Sequence, residues 1–257
     1  MSSRSTAPLA VLSVRGVCLA EDTPAMDLDV QEGEIVGLAG LEGHGQQRFL
    51  EILCGLHKPI SGIIEAHLPD GTTSAIRDLH SAARAGVAYL PRERKTQGIF
   101  PALSVLDNFA IATLGSTSRF GFLNRRGQRQ QLEAFTEKLS MIYTSPRALV
   151  TSLSGGNQQK LLLARWLAAS PRVMLLNDPT RGVDVQTKMT LYEVFREMME
   201  KERRTLVLLS TEIDELLQLC DRTLVFREGA LFAMLPRETI TRSNVIAAMF
   251  GRENGEQ

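Results

Sequence analysis

The segment that most constrains this chain begins at Ile35-Val36-Gly37-Leu38-Ala39 and runs straight into Gly40-Leu41-Glu42-Gly43-His44-Gly45-Gln46-Gln47. The aliphatic run lacks polar alternation, which marks a strand buried on both faces. Phe49, Ile52, Leu53 and Leu56 follow at i, i+3, i+4 and i+7, a single apolar stripe on a helix. Buried strand, glycine turn and amphipathic helix together predict an α/β layered fold. Gly, four residues, Gly and two more is the frame of a phosphate-binding loop in its proper strand-to-helix setting. Glycines are needed there because backbone N–H groups must turn inward around an anion, some at positive φ. The helix N-terminus adds partial positive charge. Gly40, Gly43, His44, Gly45, Gln46, Gln47 and Arg48 are therefore the candidate nucleotide-binding residues. Two of them are chemically unusual. Gln46 stands where the frame calls for lysine, and Gln47 where it calls for the hydroxyl that holds magnesium. A phosphate–ammonium contact at ~4 Å and effective dielectric ~20 is worth up to ~4 kcal/mol before desolvation, so its loss predicts weak binding. Arg48 lies about 200° round the helix from Gln46 and is expected to point elsewhere, and His44 to face solvent. Taken alone, the loop also fits a glycine-rich turn with no ligand.

Further short apolar runs, Gly86 to Leu90, Val173 to Leu176 and Leu206 to Leu209, alternate with helical stretches and predict mainly parallel strands with crossover helices. Val11 to Val30, and Leu224-Val225-Phe226 with Ala230-Leu231-Phe232 around an Arg227-Glu228-Gly229 turn, predict an antiparallel edge. From Gly98 to Ser152 no convincing strand is visible. Leu103–Leu114 and Gln128–Ile142 read as helices joined by the loop LGSTSRFGFLNRRGQ. The expected organisation is a core of residues 11–97 and 153–250, a helical subdomain inserted at 98–152, a linker or appended tail at 1–10 and a frayed tail at 251–257. Acids and bases are equal in number, 29 each, which disfavours a polyanion-binding surface and thus nucleic acid as partner. The cysteines Cys18, Cys54 and Cys220 lie far apart without metal-ligand spacing and read as small buried hydrophobes in a reducing compartment. No apolar run approaches the ~18 residues of a membrane helix, and MSSRSTAPLA has no hydrophobic signal core. A cytosolic location is expected.

The richest stretch is Leu153-Ser154-Gly155-Gly156-Asn157-Gln158-Gln159-Lys160, opening a helix over Leu161–Ala169. Ser154 can cap that helix, and the glycines let N–H groups face an anion. Pro171 follows, then Val173-Met174-Leu175-Leu176-Asn177-Asp178-Pro179-Thr180, Arg181-Gly182-Val183-Asp184, a helix over Lys188–Lys201, strand Leu206–Ser210 and Thr211-Glu212. This order resembles the nucleotide-binding domains of ABC transporters, P-loop ATPases with a mainly parallel core sheet, an antiparallel β edge and a helical subdomain. The resemblance covers nearly the whole chain, about Leu12 to Glu228. LSGGNQQK and DPTRGVDV look like the monosaccharide-importer branch, in which two such domains occur in tandem in one polypeptide. PRERKTQG, Pro91 to Gly98, resembles the PEDRKxxG stretch of that branch at the Q-loop.

What the resemblance implies is specific. ATP and Mg2+ would be the ligands. Asn177 stands at the Walker B aspartate that holds magnesium, Asp178 at the catalytic glutamate, Glu212 at the switch histidine, Arg92 at the Q-loop glutamine and Asp184 in the D-loop. C-terminal halves of the family often carry arginine at the P-loop lysine position; here it is Gln46. No aromatic precedes the loop where a base-stacking one is sought; Cys18 lies near that place. Ser154, Gly155, Gly156, Asn157 and Gln158 form an intact signature, which in such pairs acts on the partner's nucleotide. The resemblance thus implies a second, C-terminal half of a sugar-type importer ATPase with a degenerate site of its own. Its partners would be a second ATPase domain, membrane permease subunits and, indirectly, a periplasmic or extracellular solute-binding protein, placing it at the inner face of the membrane. A non-catalytic regulatory module and a soluble, non-transport ABC ATPase are the alternatives.

Overall fold

The computed structural model describes residues 9–114, 118–119 and 122–252. They form two units, one of residues through Tyr89, Arg172–Asp178 and Arg196 onward, the other of Leu90–Pro171 and Pro179–Phe195. The expected insertion, 98–152, lies inside the second unit. Residues 1–8 of the expected leading tail and 253–257 of the trailing one are outside the described residues; Ala10 already begins a strand.

In the first unit β1 (Ala10–Cys18), β2 (Met26–Gln31), β4 (Ser61–His67) and β5 (Thr73–Ala75) form a sheet in the order β2-β1-β4-β5, all neighbours antiparallel. In β2 the side chains alternate: Met26, Leu28 and Val30 are buried while Asp27 is exposed and Asp29 half-buried, the period-2 pattern of a strand with one wet face. The second sheet holds β3 (Ile35–Gly40), β6 (Val87–Leu90), β9 (Val173–Asn177), β10 (Thr205–Leu209), β11 (Arg222–Arg227) and β12 (Ala230–Pro236), in the order β12-β11-β3-β10-β9-β6. The pairs β3/β10, β9/β10 and β3/β11 are parallel; β11/β12 is antiparallel around Glu228-Gly229. Every residue of β9 and β10 is buried, which is why those strands read as unbroken aliphatic runs. The α/β fold class, with its parallel core and antiparallel edge, is as expected.

Helix α1 (Gln46–Leu53) buries Phe49, Leu50, Ile52 and Leu53. Leu56, expected on the same stripe, lies beyond the helix end and is 42% exposed, because Cys54-Gly55 turn the chain away with Gly55 at φ +73°. Shorter helices α2 (Leu79–Arg84), α7 (Ile213–Leu219) and α8 (Arg242–Met249) complete this unit. The rings of Phe49 and Phe226, both fully buried, meet at 5.1 Å between centroids and fasten α1 to β11.

The second unit contains α3 (Val105–Ala110), a 3-10 turn Ile111–Thr113, α4 (Arg125–Lys138) and α5 (Gly155–Ala169). Helix α6 (Val185–Glu202) starts a turn before the expected Lys188. Helix α4 begins earlier than expected because Asn124 caps it by accepting the Gly127 N–H. It stops at Lys138, and Ser140 at φ +48° redirects the chain, so Met141 and Ile142 are not helical. Where no strand was expected, β7 (Ser118–Arg119) pairs antiparallel with β8 (Phe122–Leu123); two residues leave no period to read. Arg165 of α5 is buried, donating to the Gly98 and Asn108 carbonyls at 2.6 Å each and to Asn108 Oδ1 at 3.0 Å. Burial lowers its pKa to about 10, leaving it cationic at neutral pH and pinning 98–108 to α5. Among the described residues no helix is long and apolar enough to cross a membrane. Cys54 and Cys220 are buried thiols whose pKa burial pushes up, while Cys18 is half-buried rather than buried.

Truncating Phe49 to alanine removes a fully buried ring against Phe226 and is expected to cost about 3–5 kcal/mol, read as a lowered denaturant midpoint with unchanged slope.

Candidate functional site

The parallel register of the first unit places several predicted residues along one edge. Leu209 pairs with both Leu38 and Asn177, and Phe226 with Gly40, so β3, β9, β10 and β11 end together. The segments that follow them, Gly40–Gly45, Asp178 and Ser210–Glu212, leave the sheet at that edge, where open α/β sheets bind ligands.

Gly43 and Gly45 take φ of +83° and +108°, which side-chain-bearing residues adopt only with strain. Gly45 is the N-cap of α1, and a Cβ there would come within 3.1 Å of Gly229 Cα. The loop closes on itself through His44 N–H to the Leu41 carbonyl, 3.0 Å, and is held to the β11–β12 turn by Gly229 N–H to the His44 carbonyl, 3.1 Å. His44 was expected in solvent; it is half-buried, with ring Nδ1 enclosed and without a hydrogen-bond partner. Gln46 is 8% exposed. Its Nε2 donates to the Gly40 carbonyl at 3.0 Å and the Leu41 carbonyl at 2.8 Å, while Oε1 is buried without a partner. The Gln46 amide thus folds back onto its own loop. Gln47 is exposed and donates to Glu51 Oε1 at 2.9 Å, one turn along α1; Arg48 is exposed.

Asn177, at the end of β9, is 1% exposed. Its Nδ2 donates to the Tyr89 hydroxyl at 3.4 Å, and its Oδ1 has no partner. A carboxylate so enclosed would need a cation; an amide does not. Tyr89 itself is held neutral, its pKa pushed up to about 12 chiefly by burial. Asp178 adopts φ +46°, a left-handed conformation that aspartate tolerates better than most residues. Its Oδ1 accepts the Thr211 N–H at 2.7 Å, and its own N–H donates to the Leu209 carbonyl at 2.8 Å, clamping the end of β9 to the end of β10. Glu212 is exposed at the start of α7, its N–H donating to Ser210 Oγ at 3.0 Å. Glycine N–H groups and a helix N-terminus suit a phosphate. The donor set does not suit magnesium, which draws on carboxylates and a free hydroxyl: Gln47 is engaged with Glu51 and Asn177 is neutral.

In the second unit α5 starts at Gly155 with Ser154 as its N-cap, the role expected of that serine, accepting the Asn157 N–H at 3.4 Å. Asn157 also donates from Nδ2 to Ser154 Oγ at 3.0 Å and accepts the Ile142 N–H at 2.8 Å. Gln158 is buried against the Leu153 and Val150 carbonyls. Ser154 remains exposed, with Gly155 and Gly156 half-buried behind it. Asp184 accepts the Thr187 N–H at 2.9 Å and hydroxyl at 2.8 Å, bonds that hold its carboxyl below the usual range and start α6. Arg92 is half-buried just past β6. Arg94, which sequence reading passed over, donates from Nη1 to the Arg181 carbonyl at 3.1 Å, and Arg181 returns to Glu93 at 2.9 Å. A Cβ on Gly155 would sit 2.7 Å from Arg94 Nη2, so that glycine makes room for a guanidinium. The cue was present in PRERKTQG, but nothing local said which arginine turns toward Gly155.

A parallel sheet feeding a glycine loop into a helix, and elsewhere a capped Ser-Gly-Gly helix start, define the class of ATP-binding cassettes. Solved cassettes share this fold. One, a dimer in a post-hydrolysis state bound to ADP and phosphate, aligns at TM-score 0.73 and 20% identity over 88% of this chain and 98% of that one. Another, part of an ABC transporter complex of Clostridium perfringens, aligns at 0.73 and 19% over 92% and 93%. Residues 24–181 match the family described as ABC transporter, and the chain belongs to that family. A Pseudomonas savastanoi protein named as a ribose/galactose/methyl galactoside import ATP-binding protein is 37% identical over 95% of this chain and 46% of its own length. A ribose import ATP-binding protein of Yersinia pestis is 37% identical over 88% and 44%. The chain therefore spans about half the length of the curated relatives it matches.

Replacing Gly45 with alanine forces a side chain into φ +108° against Gly229 and is expected to destabilise the first unit by about 1–3 kcal/mol, measured by thermal or urea unfolding.

Proposed function

We propose that this chain is the second, C-terminal ATP-binding half of a sugar-importing ABC transporter. It would work as one of a pair at the cytoplasmic face of the membrane, with permease subunits and, through them, an external solute-binding protein. Similarity to importer ATP-binding proteins over about half their length supports the placement in a tandem polypeptide. Within the pair, Ser154, Gly155 and Gly156 complete a competent site whose lysine, magnesium acid and catalytic carboxylate belong to the other domain. This chain's own loop then serves nucleotide binding and closure rather than turnover. The observation that carries the reading is the contrast between the exposed, capped start of α5 and the Gln46 amide spent on its own loop carbonyls.

The chemistry follows from charge. Hydrolysis of ATP by water needs a divalent cation to neutralise phosphate charge and a carboxylate to orient the nucleophile. Here Asp178 keeps a carboxylate, but its Oδ1 is spent on Thr211 N–H, and Glu212 would set a negative charge facing the terminal phosphate. Gln46 and Asn177 supply no charge at all. Phosphate would be held by loop N–H groups and the α1 dipole only.

The purified chain is expected to show little or no ATPase activity and weak nucleotide binding that is insensitive to magnesium. Turnover by the pure chain at the rate of an ordinary transporter ATPase would sink the proposal. In the assembled pair, Ser154→Arg is expected to abolish phosphate release, since the side chain fills the space in front of the signature, while Gln46→Ala changes it little. The reverse ranking would show that this chain's own loop does the chemistry.

A further inference from the structure

The second unit contains a cleft of about 470 Å³ lined by Arg125, Arg126 and Arg129 of α4, by Arg147, and by Ser104 and Asp107 at the start of α3. Its walls are fixed by backbone: Leu106 N–H donates to the Pro146 carbonyl and Val105 N–H to the Ala148 carbonyl, both at 2.9 Å, which straps the Arg147 segment to α3. We propose that this cleft is an anion site that takes a phosphate monoester, remote in function from the glycine loop and the signature.

Intramolecular pairs account for only part of this charge. Helix α4 carries two arginines and no acid in its first turn, so cations sit at the positive end of the helix dipole. Arg125 and Arg129 lie at i, i+4, where like charges repel. The single acid of the cleft is saturated: Asp107 Oδ1 accepts from Arg125 at 2.5 Å and Oδ2 from the Ser104 hydroxyl at 2.6 Å. Arg129 reaches Glu133 at 3.5 Å. Arg126 and Arg147 make no ion pair among the described residues. A dianion in the cleft would relieve the dipole conflict and the repulsion at once.

The chemistry selects phosphate. Guanidinium forks match its oxygens two at a time, and Arg is the residue used where that planar match matters. A volume of about 470 Å³ suits a small ligand rather than an extended peptide. Asp107, held ionised by Ser104 and then Arg125, would repel a fully charged ligand only partly, because Arg125 already neutralises it.

The ligand could be a soluble phosphate ester or the phosphate of a lipid headgroup, and one experiment separates them. Backbone amides of the isotope-labelled chain are titrated with glycerol 3-phosphate, and the chain is sedimented with vesicles of phosphatidylcholine with and without phosphatidic acid. Saturable shifts at residues 125–129 and 147 are expected, weakening with added salt. Arg126→Gln with Arg147→Gln should weaken the affinity at least about tenfold, with unfolding temperature unchanged because both side chains are exposed. Asp107→Asn should tighten it a few-fold. Saturable glycerol phosphate binding without sedimentation assigns a soluble ester; sedimentation with phosphatidic acid that the double variant loses assigns a headgroup. The proposal is overturned if neither probe engages these residues, or if the double variant binds both as the parent does.

Discussion

The parallel pairing of β3, β9, β10 and β11 is the constraint on which the first unit depends. Because Leu38, Leu209 and Asn177 fall in one row across the sheet, three loops far apart in sequence leave it at one edge. The hydrogen-bond ladder sets this row, but burial is what makes it unique. A one-residue slip in β9 or β10 would turn every side chain of a fully buried strand over and misplace Asp178 relative to Thr211. Packing of Phe49 on Phe226 then orients α1, and with it the glycine turn that caps α1. The site is a consequence of core packing, not an addition to it.

At that edge three amide side chains hydrogen-bond within the chain. Gln46 bonds to loop carbonyls, Asn177 to Tyr89, Gln47 to Glu51. Each amide NH2 finds a partner within the chain, while the buried oxygens of Gln46 and Asn177 have none. A lysine and an aspartate at the same positions, buried to this degree, would demand phosphate and metal to offset their desolvation. The loop's positive-φ glycines and helix N-terminus suit an anion, while the side chains at 46, 47 and 177 hydrogen-bond to the chain itself. At the start of α5 Ser154 is exposed with the two glycines half-buried behind it, and Arg94 adds a cation against Gly155.

Much of this was legible in residue order. Unbroken aliphatic runs mark β3, β9 and β10 because strands buried on both faces have no polar alternation to show. The glycine spacing marks the loop because positive φ leaves few alternatives at Gly43 and Gly45. Less legible were element ends. Asn124 starts a helix earlier than the apolar pattern does, since a cap acts through one side-chain hydrogen bond rather than through burial. The paired strands Ser118–Arg119 and Phe122–Leu123 are too short to carry a pattern at all.

By itself, then, the sequence determined the fold class, the glycine loop, the capped Ser-Gly-Gly helix start and the uncharged amides at positions 46, 47 and 177, because each of these is a matter of residue type at a fixed local spacing. Only the tertiary structure decided where those residues spend their hydrogen bonds. That the His44 carbonyl is held by Gly229, that Arg94 lies on Gly155, and that Arg147 joins three arginines of α4 in one cleft all depend on contacts across tens of residues. Local spacing carries no information about such partners, since the free energy that selects them comes from burial shared by the whole unit.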